Sequence, residues 1–204
     1  MKALAINGSP RANGNTRLLL DQVLAPLAKA GWETEVVQIG GKEMHGCRAC
    51  DLCRRNLDLR CGSEDDAFNG VFARMLAADA IILGSPTYFA DVSAEMKALI
   101  DRAGYVGMAN GCALAGKLGV AVVAVRRGGA IHAFDSMNHL FSISQMVVPG
   151  STYWNMAYGR EPGQVGGDAE GLRNMRHLGR TLDWLGRAMK GAATPYPVQR
   201  EGES

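Results

Sequence analysis

The chain has no apolar run of the roughly 18 residues that a membrane span needs. Its longest, residues 118–125, has eight and lies between Lys117 and Arg126. No secretory leader is expected either, since the first apolar run stops at Asn7-Gly8-Ser9-Pro10, and the expected location is cytoplasmic. Charge of one sign is not in excess, with 22 Lys and Arg against 20 Asp and Glu. That balance makes no electrostatic case for nucleic acid or an anionic membrane as partner. Internal repeats and low-complexity blocks are absent. Four histidines share no ligand spacing, so His45, His132, His139 and His177 are read as structural or surface residues. At 204 residues, 47% hydrophobic and 21% charged, the chain is one ordinary globular domain that needs no disulfides to hold its core.

What is present is punctuated by glycine, 26 in all, a content that suits several loops closely approached by backbone. Short apolar runs alternate with amphipathic segments, the pattern of repeated βαβ units. Strands are predicted at 3–7, 33–39, 80–84 and 118–125, with a short fifth near Val147. Helices are predicted at 15–30, 66–78, 93–104, 130–146 and 168–190, and a loose tail at 191–204. Five strands with interposed helices predict an open parallel sheet covered on both faces. Such sheets bind ligands beyond the carboxyl ends of their strands.

Three loops then matter. The first, residues 7–16, runs from a strand into a helix and carries Ser9, Arg11, Asn15 and Thr16 between and beside Gly8 and Gly14. A helix N-terminus with hydroxyl, amide and guanidinium donors is an anion site. It is neither G-x-G-x-x-G nor the triphosphate loop: five residues separate the two glycines and Asn15 stands where a lysine would be, so a single phosphate suits it best. A plain strand-to-helix turn is the alternative. The second loop, Gly84 to Ala90, has Pro86 to stiffen it and Tyr88 and Phe89 to contact a flat ring. The third, Arg126-Arg127-Gly128-Gly129, allows backbone N–H groups to approach that ring beside one cation, taken as Arg126.

The segment Gly8-Ser9-Pro10-Arg11 … Gly14-Asn15-Thr16, with Gly84 to Ala90 and the following Met96-Lys97 and Asp101-Arg102, resembles the NADPH-dependent FMN reductase family of flavodoxin-like proteins. The resemblance runs from residue 1 to about 130, and more loosely to the last helix. It implies a flavodoxin-like five-stranded parallel sheet spanning 1–190. It also implies FMN with its phosphate on the first loop, Pro86, Thr87, Tyr88, Phe89 and Ala90 along the isoalloxazine, and Gly128 and Gly129 touching the flavin. The Arg126-Arg127 pair departs from the family's usual Gly-rich loop. A homodimer or homotetramer follows from the same resemblance.

A cysteine-rich insertion at about 44–64 carries Cys47-x2-Cys50-x2-Cys53-x7-Cys61, four thiols within fifteen residues. Two-residue gaps let the chain curl round one cube with three sulfurs on three irons, and Cys61 closes the fourth corner. Two separated C-x-x-C pairs, the usual zinc pattern, are missing. The motif is similar to that of the iron–sulfur flavoproteins, a branch of the same family that binds one [4Fe–4S] cluster and FMN, though the last gap here is longer. Arg54, Arg55 and Arg60 are expected to offset the cluster's charge, and Cys112 is read as a small buried residue. The Gly-rich stretch 159–167 is read as a loop over a neighbouring active site. The function expected is electron transfer between a reduced donor, NAD(P)H among the candidates, and a small-molecule acceptor or a redox protein such as ferredoxin, through FMN and [4Fe–4S]. The alternatives are a cluster-free NAD(P)H-dependent FMN or quinone reductase, and a non-enzymatic electron carrier or metal-binding redox sensor.

Overall fold

The computed structural model describes residues 1–63 and 65–200. Five strands, β1 (Lys2–Asn7), β2 (Glu33–Gln38), β3 (Ala80–Pro86), β4 (Leu118–Val125) and β5 (Met156–Tyr158), form one sheet in the order β2-β1-β3-β4-β5. All four pairings are parallel. This is the flavodoxin-like order, and strand succession reverses between β1 and β3. Side chains alternate across the sheet. Leu4, Ile6, Ile81 and Leu83 face one layer, with α3 (Phe68–Ala77), α4 (Ala94–Ala109) and α5 (Ala130–Ile143). Ala3, Ala5, Ile82, Val120 and Val122 face the other, with α1 (Asn15–Lys29) and α6 (Ala169–Lys190). Among the described residues no helix is long and apolar enough to cross a membrane.

Several expected boundaries move. The fifth strand is not at Val147, which makes only an isolated bridge to Leu118. The chain leaves the edge at Pro149, which has no N–H to give a ladder, and returns where Val123 N donates to Asn155 O at 2.9 Å. Helix α4 runs past Gly104 because that glycine marks a close approach rather than a stop: a Cβ there would lie 3.3 Å from Leu140. Helix α5 ends before Met146, since Gln145 takes a left-handed φ of 55°. Cys112 is half-exposed rather than buried, and its sulfur accepts from Gln145 Nε2 at 3.2 Å. Residues 191–200 hold no helix or strand, yet Tyr196 packs on Gly116 and Gln199 N donates to Gln145 Oε1 at 2.9 Å. The last four residues of the expected tail and Glu64 lie outside the described residues.

Candidate functional site

The first loop is built by the buried end of β1. Ser9 N donates to Asn7 Oδ1 at 3.1 Å and Arg11 N to Ser9 Oγ at 3.2 Å. From β2, Gln38 Nε2 donates to Ser9 O at 2.6 Å. The N-cap of α1 is Gly14, with no side-chain cap and no acidic residue in the first turn. The leading N–H groups of α1 therefore have no side-chain acceptor from the cap, an arrangement that favours an anion. Gly40 presses against this loop from behind; a Cβ on it would fall 2.2 Å from the Ser9 carbonyl carbon.

The loop after β3 locks onto the first. Gly8 N donates to Gly84 O at 2.8 Å, and Ser93 Oγ donates to Gly8 O at 2.7 Å. Tyr88 and Asp91 then exchange backbone bonds of 2.8 and 3.0 Å, closing a two-residue turn at Phe89 (φ 46°) and Ala90 (φ 64°). Left-handed conformations in non-glycine residues cost about 1–2 kcal/mol each. Packing holds this turn in place: Gly129, at φ 87°, lies so close that a Cβ would meet Ala90 Cα at 2.7 Å. Phe89 is fully exposed at the tip.

Ser9, Arg11, Asn15, Thr16, Pro86, Thr87, Tyr88 and Arg126 come together around an open cleft at the carboxyl ends of β1, β3 and β4. Arg127 is not among the lining residues, so one arginine of the pair faces the cleft. Gly14, Phe89, Ala90, Gly128 and Gly129 shape the surrounding loops without lining it. Thr87 Oγ1 is buried with no hydrogen-bond partner. A buried hydroxyl without a partner beside a cleft is compatible with a polar ligand there. Gly159 and Arg160, from the Gly-rich stretch read as a loop over a neighbouring active site, also line the cleft. The Gly-rich stretch covers this chain's own site: Asn15 Nδ2 donates to Gly159 O at 3.1 Å, and Val165 N to Asn15 Oδ1 at 3.4 Å. Asn15 thus orients that loop. A separate cleft, by Met1, Asp79, Lys117 and Tyr196, opens at the opposite, amino ends of the strands.

The cysteine segment forms a second site. One short helix, α2 (Leu52–Asn56), interrupts it, and Ala49, Asp51, Leu57 and Leu59 all take left-handed φ angles between 50° and 61°. So many reversals curl the segment on itself, and Cys47, Cys50, Cys53 and Cys61 line one small cavity with Arg48, Tyr105 and Arg102. Cys53 is buried, Cys61 half-buried, and Cys47 and Cys50 exposed. Burial pushes the Cys53 thiol up, with Cys61 and Cys47 adding to the effect and backbone N–H groups opposing it. The expected arginines are not those that line it. Arg54 lies over the Tyr105 ring at 5.2 Å and Arg55 Nη2 donates to Cys50 O at 2.7 Å, while Arg48, whose Nη2 donates to Asp65 Oδ2 at 2.8 Å, and Arg102 are part of the cavity lining. Among the described residues, no three His, Cys, Asp or Glu side chains converge on a single-ion position. A cuboidal cluster asks for something different, one thiolate at each of four corners around a shared space.

Comparison with known proteins places the chain in a family. The family described as NADPH-dependent FMN reductase matches residues 1–161. An iron–sulfur flavoprotein of Methanocaldococcus jannaschii is 37% identical over 189 residues, covering 89% of this chain and 95% of the relative. An iron–sulfur flavoprotein of Archaeoglobus fulgidus is 36% identical over 180 residues, 86% of each chain. Among solved structures, RosB, crystallised with bound 8-demethyl-8-formylriboflavin-5′-phosphate, superposes with a TM-score of 0.74 at 18% identity, covering 95% of this chain and 82% of RosB.

Proposed function

Because the chain belongs to the NADPH-dependent FMN reductase family, among its iron–sulfur flavoproteins, we propose that it transfers electrons between a reduced donor and an acceptor. FMN occupies the cleft at the ends of β1, β3 and β4, and a [4Fe–4S] cluster sits on Cys47, Cys50, Cys53 and Cys61. The observation that carries the cluster is that four cysteines spread over residues 47–61 line one cavity. The flavin cleft is supported by the uncapped start of α1 and by the buried, unpartnered Thr87 hydroxyl.

The protein's part is binding and tuning. The N–H groups at the start of α1, with Ser9, Thr16 and the Arg11 guanidinium, hold the phosphate dianion. Pro86, Thr87 and Tyr88 face the ring, and the Phe89-Ala90 turn braced by Gly129 fixes that edge, with Gly128 beside it. Arg126 places positive charge where it favours the reduced, anionic flavin. Held by these residues, FMN would supply one- and two-electron redox chemistry, and a cluster on Cys47, Cys50, Cys53 and Cys61 would supply one-electron chemistry. No side chain is required as acid or base. NAD(P)H or a ferredoxin-like protein serves as donor, a small molecule or redox protein as acceptor, and the assembly is a cytoplasmic homodimer or homotetramer.

Stopped-flow mixing with NADPH and with reduced ferredoxin, on protein loaded anaerobically with both groups, tests this reading. Reduction of the cluster after the flavin, or the reverse, is expected. Fast flavin reduction by NADPH in protein that takes up no iron would replace it with the cluster-free reductase. Slow reduction by NADPH together with fast exchange with ferredoxin would make it an electron carrier.

A further inference from the structure

The carbonyls of His45 and Ser63 stand at the two ends of the cysteine-bearing stretch, one before Cys47 and one after Cys61. A single side chain binds both: Arg102 Nη1 donates to His45 O at 3.1 Å and Nη2 to Ser63 O at 2.9 Å. Asp66 completes the knot. Its Oδ2 accepts from Arg102 Nη1 and from His45 N, the latter at 2.7 Å, and its Oδ1 accepts from Phe68 N at 3.0 Å. The guanidinium lies 4.1 Å from the Phe68 ring centroid. Both charged side chains are wholly excluded from solvent. Arg102 projects from α4, which is fixed by the core through Leu99, Ala103 and Val106.

That accounts for both N–H groups of Nη1 and one of the two on Nη2. The remaining nitrogen, Nε, is buried and meets no acceptor in good hydrogen-bond geometry, the guanidinium lies beside the Cys61 side chain, and Arg102 is part of the lining of the cavity that the four cysteines surround. Buried donors left without a partner are rare, and one beside a cavity lined by four thiols has an acceptor at hand once those sulfurs carry charge. A salt bridge serving only the fold needs no spare donor beside that cavity.

We propose that Arg102 is the positioning residue of the cysteine cavity, closing the loop at both ends and offering Nε–H to the anionic sulfur group that the four cysteines hold. This rests on the cluster assignment in the proposed function. A donor and a positive charge beside the sulfurs favour the reduced, more negative state, so Arg102 raises the reduction potential of the group. Lysine is a poor substitute, because one ammonium cannot fork to two carbonyls and a carboxylate and still reach the cavity.

The test uses Arg102→Lys and the double variant Arg102→Gln/Asp66→Asn, which leaves no unpaired charge in the knot. Melting temperature and FMN affinity report whether each folds. In anaerobically reconstituted protein, iron release to a chelator should quicken about tenfold or more, the usual scale for losing a partner that orients metal ligands. The midpoint potential should fall while FMN affinity stays at the wild-type value. In iron-free protein, trypsin should cut at Arg48, Arg54, Arg55 or Arg60 about tenfold faster in the variants, because the loop opens more often. Iron release and potential at wild-type values in both variants would overturn the proposal. If the wild-type chain takes up no iron, the cluster assignment fails on its own; equal trypsin cleavage in wild type and variants then overturns the loop closure, and faster cleavage upholds it.

Discussion

A methyl group at Gly40 would test how the phosphate loop is held without touching the ligand. It would stand 2.2 Å from the Ser9 carbonyl carbon, 2.4 Å from Ser9 O and 2.5 Å from Gly8 O, where ordinary contact begins near 3.4 Å. The loop would have to retreat by about 1 Å, and it is tethered on several sides. Gly8 N is bonded to Gly84 O at 2.8 Å, Gly8 O to Ser93 Oγ at 2.7 Å, and Ser9 O to Gln38 Nε2 at 2.6 Å. Overpacking of this kind costs about 1–3 kcal/mol. In a domain of this size about 2 kcal/mol lowers the melting temperature by about 4–8 °C. Losing the alignment of one hydrogen bond to the phosphate costs a further 1.5–3 kcal/mol or so in binding, which raises the FMN dissociation constant about 10- to 100-fold. Titration calorimetry with FMN and a thermal melt of the apoprotein read both numbers. Gly70 supplies the control: it is exposed in α3 and a Cβ there meets nothing within 4 Å. Gly70→Ala should leave FMN affinity alone and add about 0.5–1 kcal/mol of stability. Wild-type affinity and melting in Gly40→Ala would refute the account of the loop.

Thr16→Val with Ser9→Ala should weaken FMN about tenfold or more through lost phosphate donors, with the melting temperature of the apoprotein little changed; equal affinity in a flavin-quenching titration would sink the phosphate assignment. Cys50→Ser should remove iron and leave FMN, as colorimetric iron and flavin counts would show, and undiminished iron would exclude Cys50 as a ligand. Acid should act through three carboxylates: the exposed Asp65, held at about 2 by Ser63 and Arg48, and the less exposed Asp66 and Asp91. Burial disfavours charge on the latter two, but Arg102 with the N–H groups of His45 and Phe68 holds Asp66 below its ordinary value of 3.8, and Ser136, Val92 N–H, His132 and Lys97 do the same for Asp91. Their stabilisation is whole above the unfolded value and is lost as pH falls through the folded one. Melting temperature should therefore drop below about pH 4, with a shallower acid slope in Asp66→Asn; identical slopes would remove Asp66 from the explanation.

How far the sequence led depends on whether the cause was local. Strand β4 was legible to the residue because eight consecutive small or branched apolar residues, bounded by charge, have few other uses. The loop between β1 and α1 was legible because its glycines and polar residues are carried within ten residues. Strand β5 was not, because three residues at a sheet edge are placed by the excursion at Pro149 and by pairing with Val123 rather than by a pattern of their own. Gly40 was invisible for the same reason: its role is a close approach to a different strand's loop. Arg102 left a signal that went unused. It sits among Met96, Leu99, Ile100 and Ala103, where α4 turns its apolar face inward, and a charged residue there is buried only with a partner. The Gly-rich stretch at 159–167 showed as a loop, but which site it covers follows from the sheet order that sets β5 beside β4.

The most direct test of the central claim is the composition of protein purified without oxygen, with iron, sulfide and flavin counted per chain beside the visible spectrum. The account predicts one FMN and about four irons with matching sulfide, the content of a single cubane. Flavin without iron, persisting after anaerobic reconstitution, would contradict it.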